Sequence, residues 1–113
     1  MRIVLDTSAI IYIVEMKIDV LQLLGHEIYV PTAVLEELRA LAAKNRKAGL
    51  ALRLLPQLRP RIYERGGPAD LAVLEAAREL NAAVLAGDSE ICREARRRGI
   101  PVARFHKKQI VIT

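Results

Sequence analysis

The chain has 113 residues and a formal net charge of +5, and 52% of its residues are hydrophobic. This length suits one domain with its own core, and the apolar content argues against intrinsic disorder. No apolar run approaches the roughly 18 residues of a membrane span and no signal-peptide pattern opens the chain, so we expect a cytoplasmic protein. The single cysteine, Cys92, excludes an internal disulfide and a cysteine-rich zinc site. The basic charge suits a polyanionic partner.

Short aliphatic runs alternate with helical patterns along the whole chain. In chain order we predict a strand at 2–5, helical material at 8–24 in two pieces around 17–19, a strand at 27–30 ended by Pro31, and helices at 32–44 and 46–55, the second stopped by Pro56. A strand at 61–64, a helix at 69–80, a strand at 83–86, a helix at 89–98 closed by Gly99, and strands at 101–105 and 109–112 follow. This alternation predicts a single α/β domain over residues 1–113, with a mainly parallel central sheet between layers of helices.

Aspartates stand at the ends of the predicted strands. Asp6 follows the first strand directly, Asp88 follows the strand at 83–86, and Asp70 begins the helix after the strand at 61–64. The carboxyl ends of parallel strands share one edge of a sheet, and ligands bind there where the strand order reverses. We therefore expect these three carboxylates to lie at one edge.

The helix after the second strand contains two adjacent glutamates, Glu36 and Glu37. At about 100° per residue, Glu36 falls nearly opposite the apolar face, and Glu37 falls on its border about one turn into the helix. That face contains Val34, Leu35, Leu38, Leu41 and Ala42. We predict that Glu36 is solvated and that Glu37 points toward the same edge as the aspartates.

Each acid by itself also has an ordinary structural explanation. Asp6 and Asp88 suit helix N-caps, and Asp70, at about the third helical position after Gly67-Pro68, suits the positive end of the helix dipole. Glu37 by itself could be an ordinary residue on the helix flank. Four acids on one edge are harder to explain in this way, because like charges repel unless a cation lies among them. Carboxylate oxygens are the ligands that Mg²⁺ and Mn²⁺ prefer.

The motifs around these acids resemble those of a known family. D-T-S-A-I, P-T-A-V-L-E-E-L, P-A-D-L-A-V-L-E-A-A and V-L-A-G-D-S-E-I, with R-R-R-G-I-P-V before the last strands, look like the ordered motifs of PIN-domain ribonucleases, among them VapC-type toxins and archaeal ribosomal-RNA-processing proteins. The resemblance implies that Asp6, Glu37, Asp70 and Asp88 are the catalytic and metal-binding acids. It also matches Ser8 to a hydroxyl that positions the first aspartate and Glu90 to an additional acid.

The chain departs from the family at Ala86-Gly87, where many members have Thr-Asn or Ser-Asn before the last aspartate. The departure removes a hydroxyl and an amide close to the expected site. The connection between the second and third strands is also short. The short connection leaves less lid or clamp than some members carry, and the change at Ala86-Gly87 is expected to affect the strength of metal binding.

The resemblance implies a metal-dependent endoribonuclease that hydrolyses RNA phosphodiester bonds, acting as the toxin of a toxin–antitoxin pair or in RNA processing. Both roles would use the same acids. The partners it implies are RNA, a second copy of the chain and, for a toxin, a small antitoxin protein. Candidate RNA-binding residues are Arg93, Arg96, Arg97, Lys107 and Lys108, although the arginines, at the end of their helix, could simply complement its dipole.

Three other classes remain as alternatives. A phosphatase with an aspartyl nucleophile would need a second acid two residues after Asp6, where Ser8 stands. A phospho-acceptor of the receiver type fits the strand placement poorly. A catalytically weak or inactive RNA-binding or ribosome-assembly module would keep the fold without the chemistry.

The early helices are richer in apolar residues than one core-facing side requires, which predicts an interface between two copies of the chain. The residues that suggest it are Ile10, Ile11, Ile13, Val14, Leu21, Leu23 and Leu24.

Overall fold

The computed structural model describes residues 1–18, 25–106 and 109–112. Within these residues six strands form one sheet: β1 Arg2–Leu5, β2 Glu27–Pro31, β3 Arg61–Tyr63, β4 Ala83–Leu85, β5 Val102–His106 and β6 Gln109–Ile112. The strand order is β3-β2-β1-β4-β5-β6. Neighbouring strands run parallel, apart from the antiparallel pair β5–β6.

Five helices of the described chain connect these strands: α1 Thr7–Glu15, α2 Thr32–Ala42, α3 Arg46–Leu54, which continues into a 3-10 turn at Leu55–Leu58, α4 Ala69–Leu80 and α5 Ser89–Arg97. The chain moves in one direction across the sheet from β1 to β3 and then returns to β4 and β5. Right-handed crossovers therefore place α1, α2 and α3 on one face and α4 and α5 on the other. The predicted α/β fold, with a mainly parallel sheet flanked by helices, is confirmed.

The central strands are buried on both faces. Ile3, Val4 and Leu5 of β1 are fully buried, and so are Val84 and Leu85 of β4. A strand covered by helices on both sides is expected to be continuously apolar, because neither face meets water. β1 and β4 are neighbours in the middle of the sheet, which explains why both strands are continuously aliphatic.

The predicted boundaries differ from the structure at a few positions. Pro31 is the last residue of β2 and the N-cap of α2, because a proline at a strand end needs no N–H for the ladder. The helix predicted at 32–44 ends at Ala42. The helix predicted to stop at Pro56 ends at Leu54 instead, and Pro56 lies inside the 3-10 turn that follows it. Gly99 closes α5 in the left-handed conformation, with φ 72°, as expected. The second helical piece predicted before residue 25 lies mostly outside the described residues.

None of the helices in the described part of the chain is both long enough and apolar enough to cross a membrane.

Helix α2 shows where the apolar face of a helix meets solvent. Leu38 is fully buried, whereas Leu41 is 38% exposed, although the helical pattern placed both on the apolar face. The reason is position along the helix, since Leu41 lies one residue before the C-terminal end of α2, beyond the cover of the sheet.

Replacing Leu38 by alanine should therefore lower the free energy of unfolding by about 2–5 kcal/mol, because the deletion leaves a cavity in a close-packed core. Leu41→Ala removes the same atoms from the same helix and should cost much less. Denaturant unfolding of the two variants measures the difference, and equal losses would contradict the burial of Leu38.

Candidate active site at the carboxyl ends of the strands

Asp6 lies at the centre of this edge of the sheet. Its backbone N–H donates to the carbonyl of Leu85, at 3.2 Å, so that Asp6 extends the pairing of β1 with β4. Strand order reverses between these two strands, since the chain leaves β1 for β2 on one side and β4 lies on the other. Asp6 thus lies at the point where parallel α/β sheets bind their ligands.

The Asp6 carboxylate is buried and held by local hydrogen bonds. The residue is 5% exposed. Its Oδ1 accepts from the backbone N–H of Ala9 at 2.8 Å, which caps α1, and the Ser8 hydroxyl lies 2.9 and 2.8 Å from the two carboxylate oxygens. Asp6 is therefore a helix N-cap, as its position suggested, and its carboxylate is also fixed in orientation by Ser8.

Burial raises the pKa of Asp6 from 3.8 to about 6. The hydrogen bonds from Ala9 and Ser8 act in the opposite direction, and the charges of Asp88 and Asp70 raise the pKa further. The negative charge on Asp6 is therefore held in an environment that disfavours it, with two further carboxylates within electrostatic range.

The other predicted acids meet around Asp70, on the first turn of α4. Asp70 is the second residue of that helix, one position earlier than predicted, and it is exposed. Its pKa is raised by partial burial and then by the charges of Asp88, Glu37 and Glu90. Among the described residues, Glu36 is not one of the charges that raise the pKa of Asp70.

Asp88 caps the helix that follows β4. Its Oδ1 accepts from the backbone N–H of Glu90 at 2.8 Å, and the residue is half-buried. The charge of Asp88 raises the pKa of both Asp6 and Asp70, so Asp88 lies within electrostatic range of both. Asp6, Asp70, Asp88, Glu37 and Glu90, which we call the acid cluster, therefore share one edge of the sheet.

The acid cluster fits a hydrated divalent cation better than a closed metal cage. Within residues 1–18, 25–106 and 109–112, no three His, Cys, Asp or Glu side chains form a compact ligand group. Mg²⁺ typically keeps several waters and takes only one or two protein carboxylates, with phosphate oxygens of a substrate completing its shell. Burial first and the neighbouring carboxylates after it raise the pKa of Asp6 and of Asp70, and both effects disfavour a negative charge that a nearby cation would stabilise.

Gly87 has a packing role that the sequence did not suggest. Its backbone N–H donates to the Ser8 hydroxyl oxygen at 3.0 Å. A Cβ at this position would lie 3.2 Å from the same oxygen and 3.5 Å from the Ser8 Cβ. From the sequence alone, Ala86-Gly87 differs from other members only by the loss of a hydroxyl and an amide. In the structure the glycine lets the β4–α5 loop approach the hydroxyl that orients Asp6.

Arg65 fastens the two helices that carry Glu37 and Asp70, and sequence reasoning missed it. Its backbone N–H donates to the hydroxyl of Thr32 at the start of α2, at 3.0 Å. Its guanidinium forms an ion pair with Glu75 of α4. No periodicity or motif marks Arg65, because its partners are distant in sequence and come together only through the sheet.

Helix α5 carries the predicted basic residues. The Arg97 and Arg98 side chains both donate to Glu94, and these bonds, that of Arg97 first, lower the pKa of Glu94 to about 2. Lys107 and Lys108 lie outside the described residues. The arginines predicted to bind RNA are all exposed on this helix: Arg93, Arg96 and Arg97.

The raised pKa of Asp6 predicts how the stability of the metal-free protein depends on pH. In the folded state the carboxylate keeps its proton up to about pH 6, whereas in the unfolded chain it ionises near 3.8. The destabilising effect is therefore absent at low pH, grows as the pH rises between these values and is complete above about pH 6. A shift of this size corresponds to about 3 kcal/mol.

Asp6→Asn should accordingly be more stable than the wild type in EDTA at neutral pH, and the difference should vanish near pH 4, about the unfolded pKa. Asparagine also caps helices, so Asp6→Ala, which loses the cap as well, should be less stable than Asp6→Asn by about 1 kcal/mol. Thermal melts across this pH range measure both effects. An Asp6→Asn variant that is less stable than the wild type at neutral pH would show that burial of this charge costs little.

Comparison with known proteins agrees with this geometry. The family model described as a PIN like domain matches residues 3–108. The solved structure of the PIN domain endonuclease Utp24 superposes with a TM-score of 0.82 at 20% identity, covering 98% of this chain and 90% of that one. A domain of a functionally unknown protein from Methanocaldococcus jannaschii DSM 2661 superposes with a TM-score of 0.69 at 20% identity, covering 93% of this chain and 91% of that chain.

No curated protein matches the chain in sequence. At this low identity the two solved structures establish the fold alone. The family model spans nearly the whole chain, and it includes Asp6, Glu37, Asp70 and Asp88. The chain therefore belongs to the family of PIN-like domains.

Proposed function

We propose that this protein is a metal-dependent endoribonuclease that uses Mg²⁺ or Mn²⁺ to hydrolyse phosphodiester bonds of RNA. The observation that carries the proposal is the burial of Asp6 at the reversal of strand order, within electrostatic range of Asp70 and Asp88. A group of carboxylates placed there is costly for stability and suits the binding of a cation. Membership of the PIN-like family supports a nuclease, and the structural similarity to the PIN domain endonuclease Utp24 agrees with it.

The residues of the acid cluster would divide the work according to their surroundings. Asp6, Glu37, Asp70 and Asp88 would surround a hydrated divalent cation, with one or two of them binding it directly and the others acting through its waters; in such sites the cation activates a water and offsets charge on the attacked phosphate. Asp6 is the most rigid of them, since Ser8 and the backbone of Ala9 fix its carboxylate.

Asp70 is the best placed to accept a proton from the attacking water. It is exposed, so that water reaches it, and its pKa is raised by partial burial and by neighbouring acids. A carboxylate with a raised pKa is a better general base than an ordinary aspartate, because its affinity for a proton is closer to that needed near neutral pH.

RNA is the proposed substrate because of charge. The chain has a formal net charge of +5 in spite of the acid cluster, and exposed arginines lie on α5, the helix that Asp88 caps. Basic side chains beside a cation site can bind the phosphates of the RNA backbone near the phosphodiester bond that is hydrolysed. The two biological roles, toxin of a toxin–antitoxin pair or RNA processing, would both use this site.

The inactive alternative, an RNA-binding or ribosome-assembly module, is not favoured, since the chain keeps all of the acids at the carboxyl edge. No position of the acid cluster carries a neutral replacement.

A homodimer is proposed as well, although the early helix offers less surface for it than the sequence suggested. Ile10 and Ile13 belong to the core, at 0% and 4% exposure, whereas Tyr12 and Met16 are 37% and 41% exposed. Leu21, Leu23 and Leu24 lie outside the described residues. Light scattering at high protein concentration should give twice the monomer mass, and a single-copy mass would reject the dimer.

Co-purification of a small protein encoded next to this one would support the toxin role.

Cleavage of a single-stranded RNA oligonucleotide tests the catalytic proposal. Cleavage should require Mn²⁺ or Mg²⁺, stop in EDTA and return when Mn²⁺ is restored, because the acids act through a bound cation. Asp88→Asn, which keeps the α5 cap, should lower the rate by at least about a hundredfold, as expected for loss of a group that acts in the transition state. The rate is measured with an end-labelled oligonucleotide under single-turnover conditions.

The matched control is Glu36→Gln, which removes one carboxylate from the same helix as Glu37 but outside the acid cluster. It should cleave at the wild-type rate, whereas Glu37→Gln should not. Cleavage that persists in both EDTA and Asp88→Asn would mean a contaminating nuclease and would sink the mechanism. Metal binding without cleavage would favour the inactive alternative.

A further inference from the structure

A cavity of about 380 Å³ opens between α4 and α5 beside the acid cluster. It shares Asp70 and Glu90 with that cluster. We propose that this cavity binds a single unpaired nucleotide of the RNA strand, next to the phosphate that is cleaved. The proposal rests on the proposed function and adds to it a defined subsite.

The size of the cavity limits what it can hold. Sites for small molecules have volumes of roughly 300–1,000 Å³, so a cavity at the lower end takes one nucleotide and not a base pair. A base that remains paired cannot enter, because its partner strand would have to enter with it. The subsite therefore selects single-stranded RNA over a duplex.

The lining supplies a suitable surface for the base and ribose. Leu74 of α4 and Ile91 of α5 form an apolar floor, and both are buried, with 4% and 3% of their surface exposed. Apolar side chains accept the face of any base and therefore favour no particular sequence. Asp70 and Glu90 also line the cavity, and Glu90 can accept hydrogen bonds from ribose hydroxyls, which distinguish RNA from DNA.

Cations line the cavity as well, together with a third carboxylate, Glu94. Arg93 and Arg97 both line it. Arg97 is held by Glu94, whose lowered pKa, caused by the hydrogen bonds from Arg97 and Arg98, keeps the pair ionised. Arg93 makes no ion pair within the described chain and is therefore the cation available to a nucleotide phosphate.

The spacing along α5 connects the subsite to the cleaved bond. Arg93 follows Glu90 by three residues, which is about 4.5 Å along the helix axis and on the same face. Arg93 therefore lies within one helical turn of Glu90, so a phosphate bound by Arg93 would lie beside the acid cluster.

Uridine monophosphate binding in EDTA, followed through the methyl NMR signals of Leu74 and Ile91, tests the subsite without any cleavage. The nucleotide should shift both signals, and uridine or inorganic phosphate alone should bind at least about tenfold more weakly, the equivalent of losing one hydrogen bond to a charged group. Methyl signals unchanged at millimolar nucleotide would reject the subsite.

Three variants examine the arginines. Arg93→Ala should weaken uridine monophosphate about tenfold. Arg53→Ala, an exposed arginine of α3 on the other face of the sheet, should leave the affinity unchanged. Glu94→Gln should strengthen binding, since it frees Arg97 for the phosphate. If Arg93→Ala and Arg53→Ala lost the same affinity for uridine monophosphate, the effect would come from net charge alone, and the subsite would be rejected.

The two proposals fail separately. Nucleotide binding without metal-dependent cleavage would keep the subsite and reject the ribonuclease. Cleavage with no nucleotide-induced shift, and with equal rates on single-stranded and duplex RNA, would keep the ribonuclease and reject the subsite.

Discussion

The buried Asp6 carboxylate is the constraint on which the rest of the site depends. It lies at the junction of the two central strands, and the backbone N–H of Ala9 and the hydroxyl of Ser8 hold it there. The same hydroxyl accepts from the backbone of Gly87 and so ties the loop that carries Asp88 to the start of α1. One short hydrogen-bonded chain thus sets the relative positions of both strand-end aspartates.

This arrangement unites two explanations that first stood as alternatives. Asp6 and Asp88 are helix N-caps, and both also belong to the acid cluster. A carboxylate has more than one acceptor direction, so it can cap a helix and still present lone pairs to a cation. The cap by itself holds the Asp6 side chain in place, and the proposed cation would offset the mutual repulsion within the cluster.

Helix α5 separates charge along its length. Acids stand at its N-terminal end and arginines at its C-terminal end, in the sense that complements the helix dipole. The consequence at the site is that negative groups suited to a cation lie one turn from positive groups suited to phosphate. Glu94 neutralises part of the positive end by pairing with Arg97 and Arg98, while Arg93 and Arg97 both line the cavity beside Asp70 and Glu90.

Much of the fold could be predicted from the sequence, because local hydrophobic periodicity and turn residues determine where elements begin and end. Helix α4 and strands β1 and β6 have the predicted limits. The orientation of Glu36 and Glu37 stays a prediction: both are exposed, and Glu37 is one of the charges that raise the pKa of Asp70. The choice of catalytic acids stays a prediction, motivated by residue type and by position after a strand.

Tertiary structure decided what depends on contacts between distant segments. The exposure of Leu41, the closeness of Gly87 to Ser8 and the ion pair of Arg65 with Glu75 follow from how helices pack across the sheet. The cavity between α4 and α5 is decided in the same way. The sequence by itself determined which residues are apolar, which can ionise and where the chain turns, because these are properties of neighbouring residues. Distances between side chains separated by many residues arise only when the whole core is packed, because each depends on the register and crossing of every element between them.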